Sequence, residues 1–193
     1  MKPTNVQIQS TEVLSDDWYI LKKTTFRYMR SSGAWQTVTR ETYDRGNGAT
    51  VLLFNLQHRT VVLTRQFRYP TYVNGNASGI LIETAAGLLD NQQPAQRIRQ
   101  EVEEETGFQV SQVTPVFEAF MSPGSVTERL HFFIAEYSEA DRMSSGGGVP
   151  EEGEDIEVME IAFSDAIQMI TDGSICDGKT ILLLQYAALN IFN

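Results

Sequence analysis

Glu101, Glu104 and Glu105 crowd into the run Gln-Glu-Val-Glu-Glu-Glu-Thr-Gly that ends at Gly107. On an α-helix turning about 100° per residue, Glu104 and Glu105 project about 60° and 40° to either side of Glu101, while Glu103 points away. Three like charges on one face destabilise a helix unless a cation neutralises them. Carboxylate oxygens are the donors that hard divalent ions such as Mg²⁺ and Mn²⁺ prefer, so the pattern points to metal-ion chemistry. A solvated acidic face is the alternative reading of the same residues.

The helix carrying these acids is expected to run from about Gln93 to Thr106, with Asn91 as cap, Pro94 in the first turn and Gly107 as terminator. Ala95, Ile98 and Val102 form its core stripe, and Arg99 and Glu103, four apart, an exposed ion pair. Upstream, Trp18 to Arg30 and Ala34 to Tyr43 read as an antiparallel strand pair around Ser31-Ser32-Gly33. Thr50 to Asn55 and Thr60 to Phe67 form a second hairpin around Leu56-Gln57-His58-Arg59, apolar enough to be buried on both faces, and Ile80 to Thr84 a further short strand. Downstream, strands are expected at Gln109 to Phe120, Arg129 to Tyr137 and Glu157 to Ile161. Residues 141–154, with three consecutive glycines and four acids, read as a mobile loop. Ser164 is expected to cap a helix to about Thr171. Asp177 should cap a final helix to about Ile191 with Ile181, Leu184, Ala188 and Ile191 on its apolar face.

Residues 87–108 resemble the Nudix box of Nudix hydrolases, Gly-x5-Glu-x7-Arg-Glu-apolar-x-Glu-Glu-x-Gly-apolar. Gly87, Glu101, Val102, Glu104, Glu105, Gly107 and Phe108 match it. Gln93 replaces a Glu, Gln100 replaces the Arg, and the Gly87 to Glu101 interval is one residue short. Further segments resemble the GDP-mannose pyrophosphatase branch: YDRGNGATVLL at 43–53, RQFR at 65–68, AGLLDN at 86–91, MSPGSVTE at 121–128, HFFIAEYS at 131–138, GGGVPEEGEDIEV at 146–158 and DGKTILLL at 177–184. That branch also shortens the box and lacks Arg at the Gln100 position.

The resemblance implies an α/β fold, the α/β/α sandwich with a central mixed sheet, in a domain of residues 44–193, plus an N-terminal antiparallel β appendage of residues 1–43. It implies Mg²⁺, with Mn²⁺ as substitute, held by Glu101, Glu104, Glu105, Glu154 and the main-chain carbonyl of Ala86, which Gly87 lets approach the helix. Glu105 and Glu154 are the catalytic candidates: the general base is expected outside the box, because carboxylates holding the metal accept protons poorly, and Glu154 lies where the branch carries a metal-binding or catalytic glutamate. Glu151, Glu152 and Asp155 stay open as alternatives, since the loop is one residue longer than the pattern. Trp18, Arg40, Glu41, Arg68, Gly87, Glu128 and Lys179 are the implied substrate contacts: Arg68 on the diphosphate, Trp18 stacking on the base. Taken singly, Trp18 reads as core, and Arg68, Glu128 and Lys179 as surface charges. A homodimer in which residues 1–43 reach the neighbouring subunit's site completes the picture. The implied reaction is hydrolysis of a nucleoside diphosphate sugar, GDP-mannose to GMP and mannose 1-phosphate. ADP-ribose or another ADP-sugar, and a non-catalytic nucleotide-binding role, are the alternatives.

Composition agrees with this reading. A chain of 193 residues with 41% hydrophobic content can bury one sizeable core. Its net charge of −10 repels nucleic acid and anionic membranes, so neither is an expected partner, and a phosphate-bearing ligand needs metal and local cations to be accepted. A single cysteine, Cys176, read as small and at least half-buried, leaves no intrachain disulfide. With no apolar signal core in MKPTNVQIQS and no apolar run near 20 residues, a cytoplasmic location is expected.

Overall fold

The structure, a computed structural model, describes residues 5–193, the Glu152 side chain excepted. It divides into two compact units, one of residues 1–47 with 120–129 and one of residues 48–119 with 130–193.

The first unit holds a three-stranded antiparallel sheet of β1 (Val6–Asp16), β2 (Ile20–Met29) and β3 (Trp35–Asp44). The β2–β3 hairpin turns at 31–33 as its sequence predicts, whereas β1 lacks a clear apolar alternation and is an addition to the expected pair. Every residue of β1 is exposed, so this sheet has no core of its own beneath that strand.

The second unit is built on a mixed sheet ordered β10-β5-β4-β9-β8, from β4 (Gly48–Asn55), β5 (Thr60–Phe67), β8 (Thr114–Phe120), β9 (Arg129–Glu136) and β10 (Glu157–Ala162). Two short strands add to it: β6 (Ile80–Glu83) pairs with β5, and β7 (Ala85–Leu88) with β4. β4 runs parallel to β9 and antiparallel to β5 and β7. All eight residues of β4 are buried, which fits helices on both faces. Ala49, Val51 and Leu53 pack with Ile98 and Val102 of α2 (Pro94–Glu101) and its continuation. On the alternate face Thr50 joins a hydroxyl chain through Thr84 to Thr180 of α4 (Gly178–Asn190), and Phe54 meets Phe192 edge-on. Burying Ile98 and Val102 completely contributes about 1.5–3 kcal/mol each, and this fixes the face that α2 turns to the sheet. Beside these lie α1 (Tyr69–Val73) and α3 (Phe163–Thr171). A central mixed sheet between helices, with a separate antiparallel sheet at the N-terminus, is the fold class expected from the sequence.

Several local expectations are corrected. The cap of α2 is Gln93, without a side-chain bond, because Asn91 sits at φ 65° in the preceding turn. Ala95 is exposed, and Arg99 donates to the Ser111 carbonyl at 3.1 Å rather than joining Glu103. Ala162 rather than Ser164 starts α3, again with no side-chain bond. Asp177 does cap α4, accepting from the Thr180 N–H, but the buried positions are Thr180, Leu183, Leu184 and Ala187, a stripe rotated from the predicted one. Cys176 is exposed. Among the described residues no helix is long and apolar enough to cross a membrane.

Candidate functional site

The acidic helix is not uniform. After Glu101 the backbone opens into a π-helical turn, Val102–Thr106, which closes at Gly107. The Thr106 hydroxyl donates to the Val102 carbonyl at 2.5 Å, a side-chain bond that competes with the regular backbone ladder. The wider turn breaks the count of 100° per residue just where Glu104 and Glu105 lie. The expectation of three carboxylates on one face therefore fails in part: Glu101 is 5% and Glu105 2% exposed, whereas Glu104 lies toward solvent. Arg97, one turn before Glu101, bridges the two environments, 2.6 Å from Glu101 and 3.2 Å from Glu104.

β7 supplies the floor beneath these acids. A Cβ added at Gly87 would overlap the Glu101 carboxylate, so only glycine allows this approach. The neighbouring Ala86 N–H donates to Glu105 at 3.3 Å. Burial, and then the charges of Glu101 and Glu154, push the Glu105 carboxyl well above its usual range; Arg68 and the Ala86 N–H offset this only in part. Both causes favour the protonated carboxyl, so ionising Glu105 is costly unless a cation stands beside it.

The glycine-rich loop is better fixed than its composition predicts. Gly147 and Gly148 donate backbone N–H bonds to the carbonyls of Glu105 and Glu104 at 2.9 and 3.0 Å, and Met143 and Ser144 donate to Gly107. These are the orphan carbonyls of a helix C-terminus, satisfied here by a loop rather than by water. Gly146, at φ 66°, passes so close to Glu105, Thr106 and Gly107 that a side chain would press into their backbone. The same loop ends on Glu154, whose carboxylate accepts from the Val149 N–H at 2.8 Å. Its alternatives Glu151 and Asp155 are exposed, and the side chain of Glu152 lies outside the described residues.

Opposite charge comes from Arg68 and Lys179. Arg68, between β5 and α1, donates from Nε to Glu83 at 2.7 Å, and Lys179, in the first turn of α4, donates to the same carboxylate at 2.6 Å and to Asp177 at 3.1 Å. Although burial opposes its charge, the carboxylates of Glu83, Glu105 and Asp177 hold the Arg68 guanidinium firmly protonated. Neither cation is the free surface charge its sequence position suggests. Glu83 and Arg97 lie outside the residues that the sequence motifs mark. An acid at the end of the apolar run Ile80-Leu81-Ile82, and an arginine four residues before Glu101, were the available signals.

Glu101, Glu105, Glu154, Ala86, Gly87, Arg68 and Lys179 thus belong to one unit, and their contacts connect most of them. Trp18, Arg40, Glu41 and Glu128 belong to the other. There Trp18 is 80% exposed, edge-on to Tyr19, which removes its reading as core. Arg40 and Glu41 are exposed on β3, and the side chain of Glu128 is mostly buried beside Arg45 at 3.6 Å.

The carboxylates of Glu101 and Glu154 act electrostatically on that of Glu105, and all three offer hard oxygens, whereas the contact made by Ala86 is its N–H to Glu105. Among the described residues no three acids already stand together as a metal-holding group. Mg²⁺ nevertheless keeps several waters and takes only one or two carboxylates, so the buried pair of Glu101 and Glu105, where ionising Glu105 is costly without a cation, fits a divalent ion.

Comparison with known proteins gives the same picture along the chain. Residues 5–43 match the GDP-mannose pyrophosphatase NudK N-terminal domain, and residues 44–181 match the NUDIX domain. A GDP-mannose pyrophosphatase of Klebsiella pneumoniae is 56% identical over 94% of this chain and 91% of its own length. One from Pectobacterium atrosepticum is 57% identical over 95% and 94%, and one from Escherichia coli 54% identical over 96% of each. NUDIX hydrolases generally use divalent metal ions, which accords with the donors around Glu105. The match over residues 44–181, together with relatives more than half identical along nearly their whole length, shows that this chain belongs to the NUDIX hydrolase family.

Proposed function

We propose that the protein hydrolyses the diphosphate of a nucleoside diphosphate sugar in the presence of Mg²⁺, with GDP-mannose as substrate and GMP and mannose 1-phosphate as products. The observation that carries the reading is the pairing of an acid cluster, Glu101 and Glu105, with two anchored cations, Arg68 and Lys179, in one unit. The names of the relatives, and the match of residues 5–43 to the N-terminal domain of such a pyrophosphatase, support the choice of substrate.

When bound, a divalent ion supplies positive charge at the scissile diphosphate and lowers the pKa of the attacking water. Glu101 and Glu105 would hold it with the Ala86 carbonyl, and Glu104, nearer solvent, would assist from the rim. Glu154 accepts the proton of the water, its carboxylate oriented by the Val149 N–H. Arg68 and Lys179 bind and orient the phosphates, which the net charge of the chain would otherwise repel. Gly87 keeps the floor of the site thin enough for Glu101 to lie against it.

Trp18, Arg40, Glu41 and Glu128 contact the nucleotide and sugar, and the protein is a homodimer in which residues 1–43 serve the neighbouring subunit's site. The exposed apolar side chains of Val6, Ile8, Val13, Leu14 and Trp18 support this, because apolar side chains gathered on one exposed strand and its turn favour an interaction surface. Its location is the cytoplasm. The test is a parallel assay of GDP-mannose and ADP-ribose with Mg²⁺. A guanine-selective site leaves polar groups unpaired against adenine, so kcat/KM for GDP-mannose should be higher by at least about tenfold. Preference for ADP-ribose would overturn the substrate, and failure to cleave either would overturn the reaction.

A further inference from the structure

Glu83 is an unusual place for a charge. It ends β6, is 3% exposed, and receives both Arg68 and Lys179 at 2.7 and 2.6 Å. A buried carboxylate of this kind contributes little to stability, since desolvation offsets most of the attraction, so its value must lie in what it holds in place. The anchoring leaves donors over. Arg68 commits its Nε to Glu83, which leaves its terminal nitrogens, on a side chain 40% exposed, for a further partner. Lys179 gives two of its three protons to Glu83 and Asp177 and keeps one.

The surrounding bonds fix the pair further. Asp177 accepts from the N–H and hydroxyl of Thr180 at 3.0 and 2.6 Å, and the Thr180 oxygen accepts from the Thr84 N–H at 2.8 Å. Glu83 and its neighbour Thr84 are therefore both bonded to the first turn of α4, and the strand and helix cannot shift independently. Lysine and arginine side chains are otherwise the most rotamer-rich in a protein, and fixing them before a ligand arrives removes that entropy from binding.

We propose that Glu83 is a positioning residue that sets Arg68 and Lys179 as a pre-formed two-cation clamp for the substrate's diphosphate. This rests on the function proposed above. The clamp acts in the transition state as much as in binding, because a displacement of about 1 Å at a phosphate-orienting group can cost about 10²-fold in rate.

The test is a set of double-mutant cycles on the full chain. Glu83→Gln preserves shape and removes the charge, and it should lower kcat/KM for GDP-mannose about 10–100-fold. That penalty should shrink at least about threefold when Lys179→Ala or Arg68→Ala is already present, because coupled residues are non-additive. Penalties that multiply independently in both cycles would overturn the clamp, as a merely structural Glu83 would behave that way. Should Glu83→Gln not fold, Asp177→Asn loosens Lys179 from its other carboxylate, and the same cycle with Lys179→Ala carries the same two outcomes. Inorganic pyrophosphate, titrated calorimetrically, has neither base nor sugar and reads the clamp alone; its binding should weaken about tenfold in Glu83→Gln. Glu83-dependent pyrophosphate binding in a protein that cleaves no nucleotide sugar would reject the assigned reaction and keep the clamp. Unchanged pyrophosphate binding with multiplicative kinetics would reject the clamp and leave the reaction standing.

Discussion

Replacing Glu105 with glutamine should change stability and activity in opposite directions. The side chain is almost completely buried, and burial together with Glu101 and Glu154 already pushes its carboxyl well above the usual range. Residues four apart on a helix have Cβ atoms about 5–6 Å apart, and two carboxylates at that spacing repel by about 3 kcal/mol at an effective dielectric near 20. Arg97, 2.6 Å from Glu101, cancels part of this, so a neutral isostere should relieve about 1–2 kcal/mol in the metal-free protein at mildly alkaline pH. In a chain of this length that corresponds to a rise in melting temperature of about 2–8 °C. Hydrolysis should fall at least 100-fold, beyond the ~10–100-fold typical of groups that only support a ligand, because one charge is lost from the cation's own donors. Thermal melts in chelator and in Mg²⁺, with a phosphatase-coupled turnover assay on the same samples, read both effects. A Glu105→Gln protein that melts lower than wild type without metal, yet retains its Mg²⁺-induced shift and its turnover, would refute the placement of metal and charge.

The same carboxyl sets a pH dependence. Because its folded pKa lies above the unfolded one, the proton on Glu105 stabilises the metal-free fold below the ordinary carboxylate range, and that contribution is lost as pH rises through the folded value. A divalent cation replaces the proton, so the metal-induced rise in melting temperature should be larger at about pH 8 than at about pH 5; an equal rise would exclude the linkage. Gly146→Ala should lift the loop from the Glu105 and Glu104 carbonyls and displace Glu154, lowering kcat about 10–100-fold, with hydrogen exchange faster at Gly147 and Gly148; wild-type kcat would show that the docking is irrelevant to catalysis. Deleting residues 1–43 should convert a dimer to monomer or aggregate and severely impair GDP-mannose cleavage, measured by light scattering and phosphate release. A truncated chain that stays dimeric and fully active would return substrate recognition to the second unit.

The sequence by itself determined the elements whose signals are local. The apolar runs of β4 and β5, Pro94 at the start of α2, Gly107 at its end and Asp177 as the cap of α4 all depend on neighbours within a few residues, and all are found where the pattern puts them. The crowding of acids at the end of that helix is legible for the same reason, since it rests on spacing along one element. What depends on distant partners was not legible. The π-turn after Glu101 separates Glu104 from the buried pair, and periodicity computed for an ideal helix cannot anticipate it. The glycine-rich segment reads as a mobile loop because the bonding partners of Gly147 and Gly148 are carbonyls about forty residues earlier in the chain, exposed only once the helix has formed. Arg68 and Lys179 each read as a surface charge because the carboxylate between them, Glu83, lies far from both in sequence and next to both in space. Tertiary structure decided those contacts, since a buried charge is tolerable only beside its counter-charge, and the sheet and α4 must assemble before the two can meet.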